Sequence, residues 1–214
     1  MSRGTAIVLA GGAQVRSSLR HLLPKPALVV AADSGLAQAA HLGLRVDLIV
    51  GDLDSADPDE VAAAQAAGAR VERHPEDKDA TDLELALAAV SSRGMDEAVV
   101  VGGASLTRTD HFIANVLLLA AEAGMRLRWH AGDSIVSVVR GREQLSGPKG
   151  GVVTLLSVAG PATGVTTEGL QWELEDEVLD QGSTRGVSNT MTGETATVSV
   201  ASGVLLAIQP GTNA

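Results

Sequence analysis

Short β-branched runs alternate with longer Ala- and Leu-rich segments from the start of the chain to about His130. The runs at 5–10, 27–32, 46–50, 70–73, 98–101 and 126–130 have the length of strands in a buried parallel sheet. The segments between them, at 14–22, 34–42, 58–67, 81–92 and 110–123, read as helices. Gly43, Gly68, Gly94 and Gly124 follow four of the helical segments, where a C′ glycine belongs. Strand–helix alternation with short loops predicts a doubly wound α/β domain, mostly parallel, with helices on both faces. After about residue 131 the pattern changes. The stretches 134–140, 151–158, 164–167 and 195–208 are rich in Val, Thr and Ser. They are separated by turn clusters such as Ser146-Gly147-Pro148-Lys149-Gly150 and Gly160-Pro161. That half predicts an all-β, sandwich-like domain, dividing the chain into 1–131 and 132–214.

Composition narrows the function. The 214 residues carry 16 Lys+Arg against 26 Asp+Glu, a formal charge of −10, and only three aromatic side chains, Phe112, Trp129 and Trp172. Nucleic-acid binding needs a basic surface, and single strands also need stacking platforms, so a nucleic-acid partner is not expected. Cysteine is absent, which excludes disulfides, zinc ribbons and thiol nucleophiles. The apolar runs fall well short of the ~20 residues that span a bilayer, and the run at 5–10 is too short for a secretory core. A soluble, cytoplasmic protein with no membrane partner is expected.

Acidic residues cluster where a ligand would sit. Asp52 and Asp54 follow directly on the strand 46–50, and open parallel sheets bind ligands beyond the carboxyl ends of their strands. Two Asp at i and i+2 in an extended segment offer oxygens to a hard cation such as Mg²⁺; the competing reading is a polar turn capped by Asp57. In Lys78-Asp79-Ala80-Thr81-Asp82-Leu83-Glu84, Thr81 and Glu84 form a capping box, and Asp82 suits the helix dipole. Capping does not explain Lys78-Asp79, whereas a site handling Mg²⁺ and phosphate together would use a Lys among Asp residues. Gly102-Gly103 leads to a helix N-terminus, the natural anion site of such folds, where Arg108 can grip phosphate with two parallel hydrogen bonds. Asp110 is either a cap or a functional carboxylate, and His111 reads better as an orienting hydrogen-bonder than as a metal ligand. Gly11-Gly12 reads as a turn. The P-loop, the GxGxxG fingerprint and the GxSxG elbow are all missing, which leaves metal-assisted phosphoryl chemistry without a P-loop.

Six segments, in order, resemble the thiamine pyrophosphokinase family. Ala32-Asp33-Ser34-Gly35 is similar to its ADxG segment, and 47–55 to its D-x-x-x-GDxDS. Residues 78–87 match KDxTDxExAL, and Arg108-Thr109-Asp110-His111, with Asn115 beyond, matches RxDH. In the β half, 164–172 and 182–189 resemble the thiamine-domain segments. The resemblance implies transfer of a diphosphate group from ATP to the hydroxyl of thiamine, and a homodimer with its active site between subunits. By position, it implies that Asp52, Asp54 and Asp82 hold Mg²⁺ on the ATP phosphates, supported by Asp33 and Asp79. It further implies that Lys78 and Arg108 neutralise phosphate charge and that Asp110 orients the substrates. Ser188 and Asn189 would hydrogen-bond the aminopyrimidine, with Trp172 a further contact.

There is one departure. Leu106-Thr107 stand where the family has Gly-Gly, so either Gly102 and Gly103 meet the phosphates instead, or this loop has another shape. Two rivals share the acidic site: a Mg²⁺-dependent phosphohydrolase of a nucleotide or phosphorylated metabolite, and a catalytically silent sensor. The intact GDxDS and KDxTD segments weigh against the sensor, and the thiamine-domain segments against the hydrolase.

Overall fold

The computed structural model describes residues 4–211. The chain divides into two compact units. One holds the residues up to Leu118 together with Gly124–Gly132; the other holds Leu119–Ala123 and the residues from Asp133 onward. The sequence alone puts the division after 131 and assigns 119–123 to the first unit.

The first unit is built on six parallel strands: β1 (Thr5–Ala10), β2 (Leu28–Ala32), β3 (Leu48–Gly51), β4 (Arg70–Arg73), β5 (Glu97–Gly102) and β6 (Arg126–Ala131). They lie in the order β6-β5-β1-β2-β3-β4. The chain therefore runs outward from β1 in one direction through β4, then returns to β1's other side for β5. Side chains alternate across the sheet. Ile7, Leu9, Val29, Ala31, Ile49, Val99 and Val101 join one core with Leu36, Ala39 and Leu42 of α1 (Leu36–Leu42). α2 (Pro58–Ala66) borders that core through Val61 and Ala64. α3 (Asp82–Ser92) buries Leu83, Ala86, Leu87 and Val90 and contacts β1, β2 and β3. α4 spans Thr109–Ala121.

Local chemistry sets the helix ends. Asp57 caps α2 by accepting from Asp59 N at 2.8 Å, and Thr81 caps α3 by accepting from Glu84 N at 3.2 Å. Gly43 ends α1 in the left-handed conformation, with φ 60°. Two expectations need correction. The predicted helix at 14–22 is only a 3₁₀ turn, Ser17–His21, and Gly124 does not adopt positive φ. No described helix is long and apolar enough to cross a membrane.

The second unit is antiparallel. β7 (Ser134–Val139), β14 (Leu205–Gln209), β9 (Val152–Ser157) and β12 (Asn189–Thr190) pair in that order. β8 (Arg142–Ser146), β13 (Thr195–Ser199), β10 (Ala162–Glu168) and β11 (Glu177–Leu179) form a second sheet. Inward residues of both sheets, among them Val139, Leu155, Leu205, Leu145, Val165 and Val198, share one core, as a sandwich requires. The stretch 195–208 is two strands, β13 and β14, rather than one. β8, β11 and β12 had no counterpart in the sequence pattern.

Candidate functional site

The sheet of the first unit changes direction between β1 and β5, and open α/β sheets bind ligands in the crevice beyond the carboxyl ends of the strands at such a point. A pocket of about 610 Å³ opens there. Its wall includes Gly11 and Gly12 after β1, Asp33 and Ser34 after β2, Asp52 and Asp54 after β3, Asp82 at the start of α3, and Gly103 after β5. Arg108 and His111, at the entry to α4, also line it.

Three carboxylates converge in it. Asp33, Asp52 and Asp82 each present an oxygen, and these atoms lie within 4.8 Å of one another. Asp33 is buried at the end of β2 with φ 46°, a left-handed backbone that Asp tolerates better than most residues. Its Oδ2 accepts from Ser55 Oγ, while its Oδ1 is buried with no protein partner. Gly51 lets the strand pass close beneath: a Cβ there would stand 3.0 Å from Asp82 Oδ1 and 3.1 Å from the Asp33 Cβ. Lys78 pairs with Asp52 Oδ2 and lies 3.0 Å from Asp82 Oδ1, the second approach being electrostatic and off the hydrogen-bonding direction. The Lys78 hydrogen bond holds the Asp52 carboxyl below its ordinary range. Burial pulls the Lys78 ammonium down, but the two carboxylates outweigh it and raise it.

Asp54 lies beside this trio rather than within it. Leu53 adopts φ 66°, which turns the chain, and Asp54 N donates back to Asp52 Oδ1 at 3.2 Å. The extended geometry that would align Asp52 with Asp54 is therefore absent. Asp54 is exposed on the pocket wall, its pKa raised by the charge of Asp52, and Asp33 takes the third place. Asp79 is exposed and outside the pocket wall.

The two glycine loops are tied together by Gly103 N donating to Gly11 O at 2.7 Å. Gly102 and Gly103 both have positive φ, at 87° and 70°. The buried Trp129 donates from Nε1 to Gly102 O at 2.6 Å and packs on Phe112, and Asn115 Nδ2 donates to Gly103 O at 3.0 Å. Two of the three aromatic residues are thus struts beneath the loop. The departure at Leu106-Thr107 resolves simply: Leu106–Arg108 winds as a 3₁₀ turn without positive φ, so no glycine is needed. Arg108 is engaged by Asp110 in a bidentate pair, Nε to Oδ1 at 3.1 Å and Nη2 to Oδ2 at 2.8 Å. That pairing raises the guanidinium's pKa and drives the Asp110 carboxyl far below its usual range.

Sequence reasoning missed the contribution of Gly11 and Gly12. The usable signal was a glycine pair directly after the first strand, on the β1/β5 side of the sheet.

In the second unit, Trp172, Ser188 and Asn189 form one patch. The buried Asn189 accepts from Trp172 N at 3.1 Å and from Thr190 N at 2.8 Å, and donates to Trp172 O at 2.7 Å. Its carboxamide therefore holds the backbone that carries Trp172, whose side chain is 59% exposed. Ser188, exposed with φ 62°, is fixed by donating its N–H to Thr154 Oγ1 at 3.0 Å.

These features define a protein with a cation-competent carboxylate site at the switch point of a parallel α/β sheet, carrying an antiparallel β unit in the same chain. The profile described as thiamin pyrophosphokinase, catalytic domain, matches residues 19–128, and that described as thiamin pyrophosphokinase, vitamin B1 binding domain, matches residues 139–205. The chain belongs to the thiamin pyrophosphokinase family. It is 26% identical over 165 residues to thiamine pyrophosphokinase 1 of Oryza sativa subsp. japonica, covering 71% of this chain and 61% of that relative's length. Its fold is similar to that of thiamine pyrophosphokinase from Bacillus subtilis, with a TM-score of 0.83 at 22% identity over 97% of this chain and 99% of the other. It also resembles thiamin pyrophosphokinase from Candida albicans, with a TM-score of 0.76 at 15% identity, covering 97% and 89% of the two chains.

Proposed function

We propose that this chain transfers a diphosphate group from ATP to the hydroxyl of thiamine, giving thiamine diphosphate and AMP. The observation that carries the reading is the convergence of Asp33, Asp52 and Asp82 in one pocket with two glycine loops and Arg108. Three carboxylates with oxygens within reach of one another, two of which, Asp33 and Asp82, bury an Oδ1 that has no hydrogen-bond partner, suit a hard divalent cation such as Mg²⁺. When bound, Mg²⁺ supplies charge neutralisation on the transferring phosphates. Asp33, Asp52 and Asp82 would hold it, with Asp54 beside them on the pocket wall.

Phosphoryl transfer depends on positioning and charge neutralisation more than on covalent help from the protein. Gly11, Gly12 and Gly103 leave backbone open to the phosphates, and Gly102 lets its strand end close against β1. Lys78 holds positive charge within the acidic cluster, with Asp79 at its margin. Arg108 would exchange its pair with Asp110 for phosphate oxygens, which frees Asp110 to orient substrate. The thiamine oxygen bonds to Pβ as the bridge between Pα and Pβ opens at Pβ; AMP leaves, and the hydroxyl proton is released.

Residues 132–214 would bind thiamine through Ser188 and the exposed Trp172, with Asn189 holding Trp172 in place. The match of residues 139–205 to the vitamin B1 binding profile supports this. A homodimer belongs to the same reading, supported by Ile113 and Leu117 on α4, each more than half exposed.

Phosphorus NMR with ATP, Mg²⁺ and thiamine, beside a control without thiamine, tests the reading. AMP and thiamine diphosphate are expected, and only in the complete mixture. ADP and phosphate in both tubes would replace it with a phosphohydrolase, and unchanged ATP with a sensor.

A further inference from the structure

Gly11 and Gly12 wall the pocket without side chains of their own, so other residues must fix where their backbone stands. One tie is Gly103 N to Gly11 O. The other comes from Gln38, an amide only 3% exposed on α1. Its Nε2 donates to Ala13 O at 3.0 Å and its Oε1 accepts from Val15 N at 3.3 Å, clasping the loop immediately after the two glycines. Gln38 also reaches the second glycine loop: a Cβ on Gly102 would come within 3.4 Å of Nε2. The chain segment that leads into α1 carries Asp33, so one short stretch supports both a carboxylate of the cluster and the clasp on the glycine loop.

A buried Gln is costly unless both ends of its amide are bonded, and here both are bonded to loop backbone rather than to α1's own neighbours. We propose that Gln38 is a positioning residue for nucleotide binding. It holds the Gly11–Val15 loop at the separation from the acidic cluster that a polyphosphate requires. This rests on the diphosphate-transfer reading above. Without the clasp the loop samples other arrangements, and apparent affinity falls in proportion to the fraction still competent. Once ATP is bound the arrangement is restored, so turnover is spared.

The test is steady-state kinetics on Gln38→Leu, with amide hydrogen exchange at residues 11–15. The KM for ATP is expected to rise about tenfold, with kcat within about twofold, an unchanged KM for thiamine, and faster exchange at Val15. Gln38→Glu is the second variant, and it decides the matter should Gln38→Leu fail to fold. A buried carboxyl has a raised pKa and, when neutral, offers the same donor and acceptor as the amide. Its KM for ATP, relative to the native protein at the same pH, should fall towards one as the pH is lowered. A folded Gln38→Leu with native KM and native exchange overturns the proposal, as does a lowered melting temperature with native KM. If the native protein transfers no diphosphate, the activity reading fails by itself. The clasp is then decided by exchange and by binding of a non-hydrolysable ATP analogue.

Discussion

Lys78 is paired with Asp52 and stands 3.0 Å from Asp82 Oδ1, so a single ammonium covers two of the three converging carboxylates. Its charge is what lets Asp33, Asp52 and Asp82 sit together before any cation arrives. Lys78→Met should therefore lower the melting temperature in the presence of chelator, at about 2–4 °C for each kcal/mol lost. Added Mg²⁺ should then raise the variant's midpoint more than it raises that of the native protein, because the uncovered carboxylates bind it harder. Calorimetry with and without Mg²⁺ checks this; equal Mg²⁺ shifts in the two proteins would refute it.

Asp33 separates charge from backbone strain. It sits at φ 46°, a region that Asn tolerates and that costs Ala about 1–2 kcal/mol. Asp33→Asn keeps an acceptor for Ser55 and removes the charge. It should melt close to the native temperature while turnover falls about 10²-fold or more. Asp33→Ala should lose stability as well. Near-native turnover in a folded Asp33→Asn would remove Asp33 from the cation site.

Much of this arrangement was legible in the sequence. The strand–helix alternation located all six parallel strands: β1, β2, β3 and β5 as the continuous apolar runs that strands buried on both faces require, and β4 and β6, which carry arginines, as further members of the alternation. Capping chemistry placed Asp57 and Thr81. The third member of the trio was less legible. Spacing favoured Asp54, which stays beside Asp52 across the left-handed turn at Leu53 without joining the three converging oxygens, whereas Asp33, nineteen positions before Asp52, joins them. The short strands β8 and β12 escaped because their residues are largely polar, and β11 because three residues are too few to show a period; pairing rather than local pattern makes all three strands. Gln38 was illegible for a related reason: nothing local marks a helical Gln whose partners lie 23 and 25 residues away.

Arg108 meets Asp110 through both of its fork nitrogens, so an incoming phosphate must compete with that carboxylate. Asp110→Asn weakens the competitor. It should tighten binding of inorganic pyrophosphate about threefold at low salt, with the gain shrinking as salt is added, because the pair is solvent-exposed. Turnover should fall if Asp110 orients substrate once released. Isothermal titration at two ionic strengths decides it; weaker pyrophosphate binding would mean that Asp110 shapes Arg108 for phosphate rather than competing for it.

Asn189 and Trp172 should separate stability from ligand binding. Asn189 is buried with three hydrogen bonds to neighbouring backbone, and Asn189→Leu leaves those groups unsatisfied, costing about 1–3 kcal/mol. Trp172→Ala removes an exposed ring and should leave the urea midpoint unchanged while raising the KM for thiamine. A Trp172→Ala protein with native KM for thiamine would take this patch out of the binding site.

His130 gives the fold a pH dependence of definite sign. Burial, helped by the nearby Arg128, pushes its pKa from 6.5 down to about 4. Between those values the unfolded chain binds the proton and the folded chain does not, so stability falls as the pH is lowered from about 6.5 towards 4 and levels off below. The full contribution is about 3 kcal/mol, of which about 2 kcal/mol is already lost at about pH 5. Comparing urea unfolding of the native protein and His130→Gln at about pH 7 and about pH 5 isolates this group from the other four histidines and from the carboxylates. The native protein should lose more stability than the variant over that interval. Equal losses would place the acid sensitivity elsewhere, because a Gln at this position takes up no proton in either state.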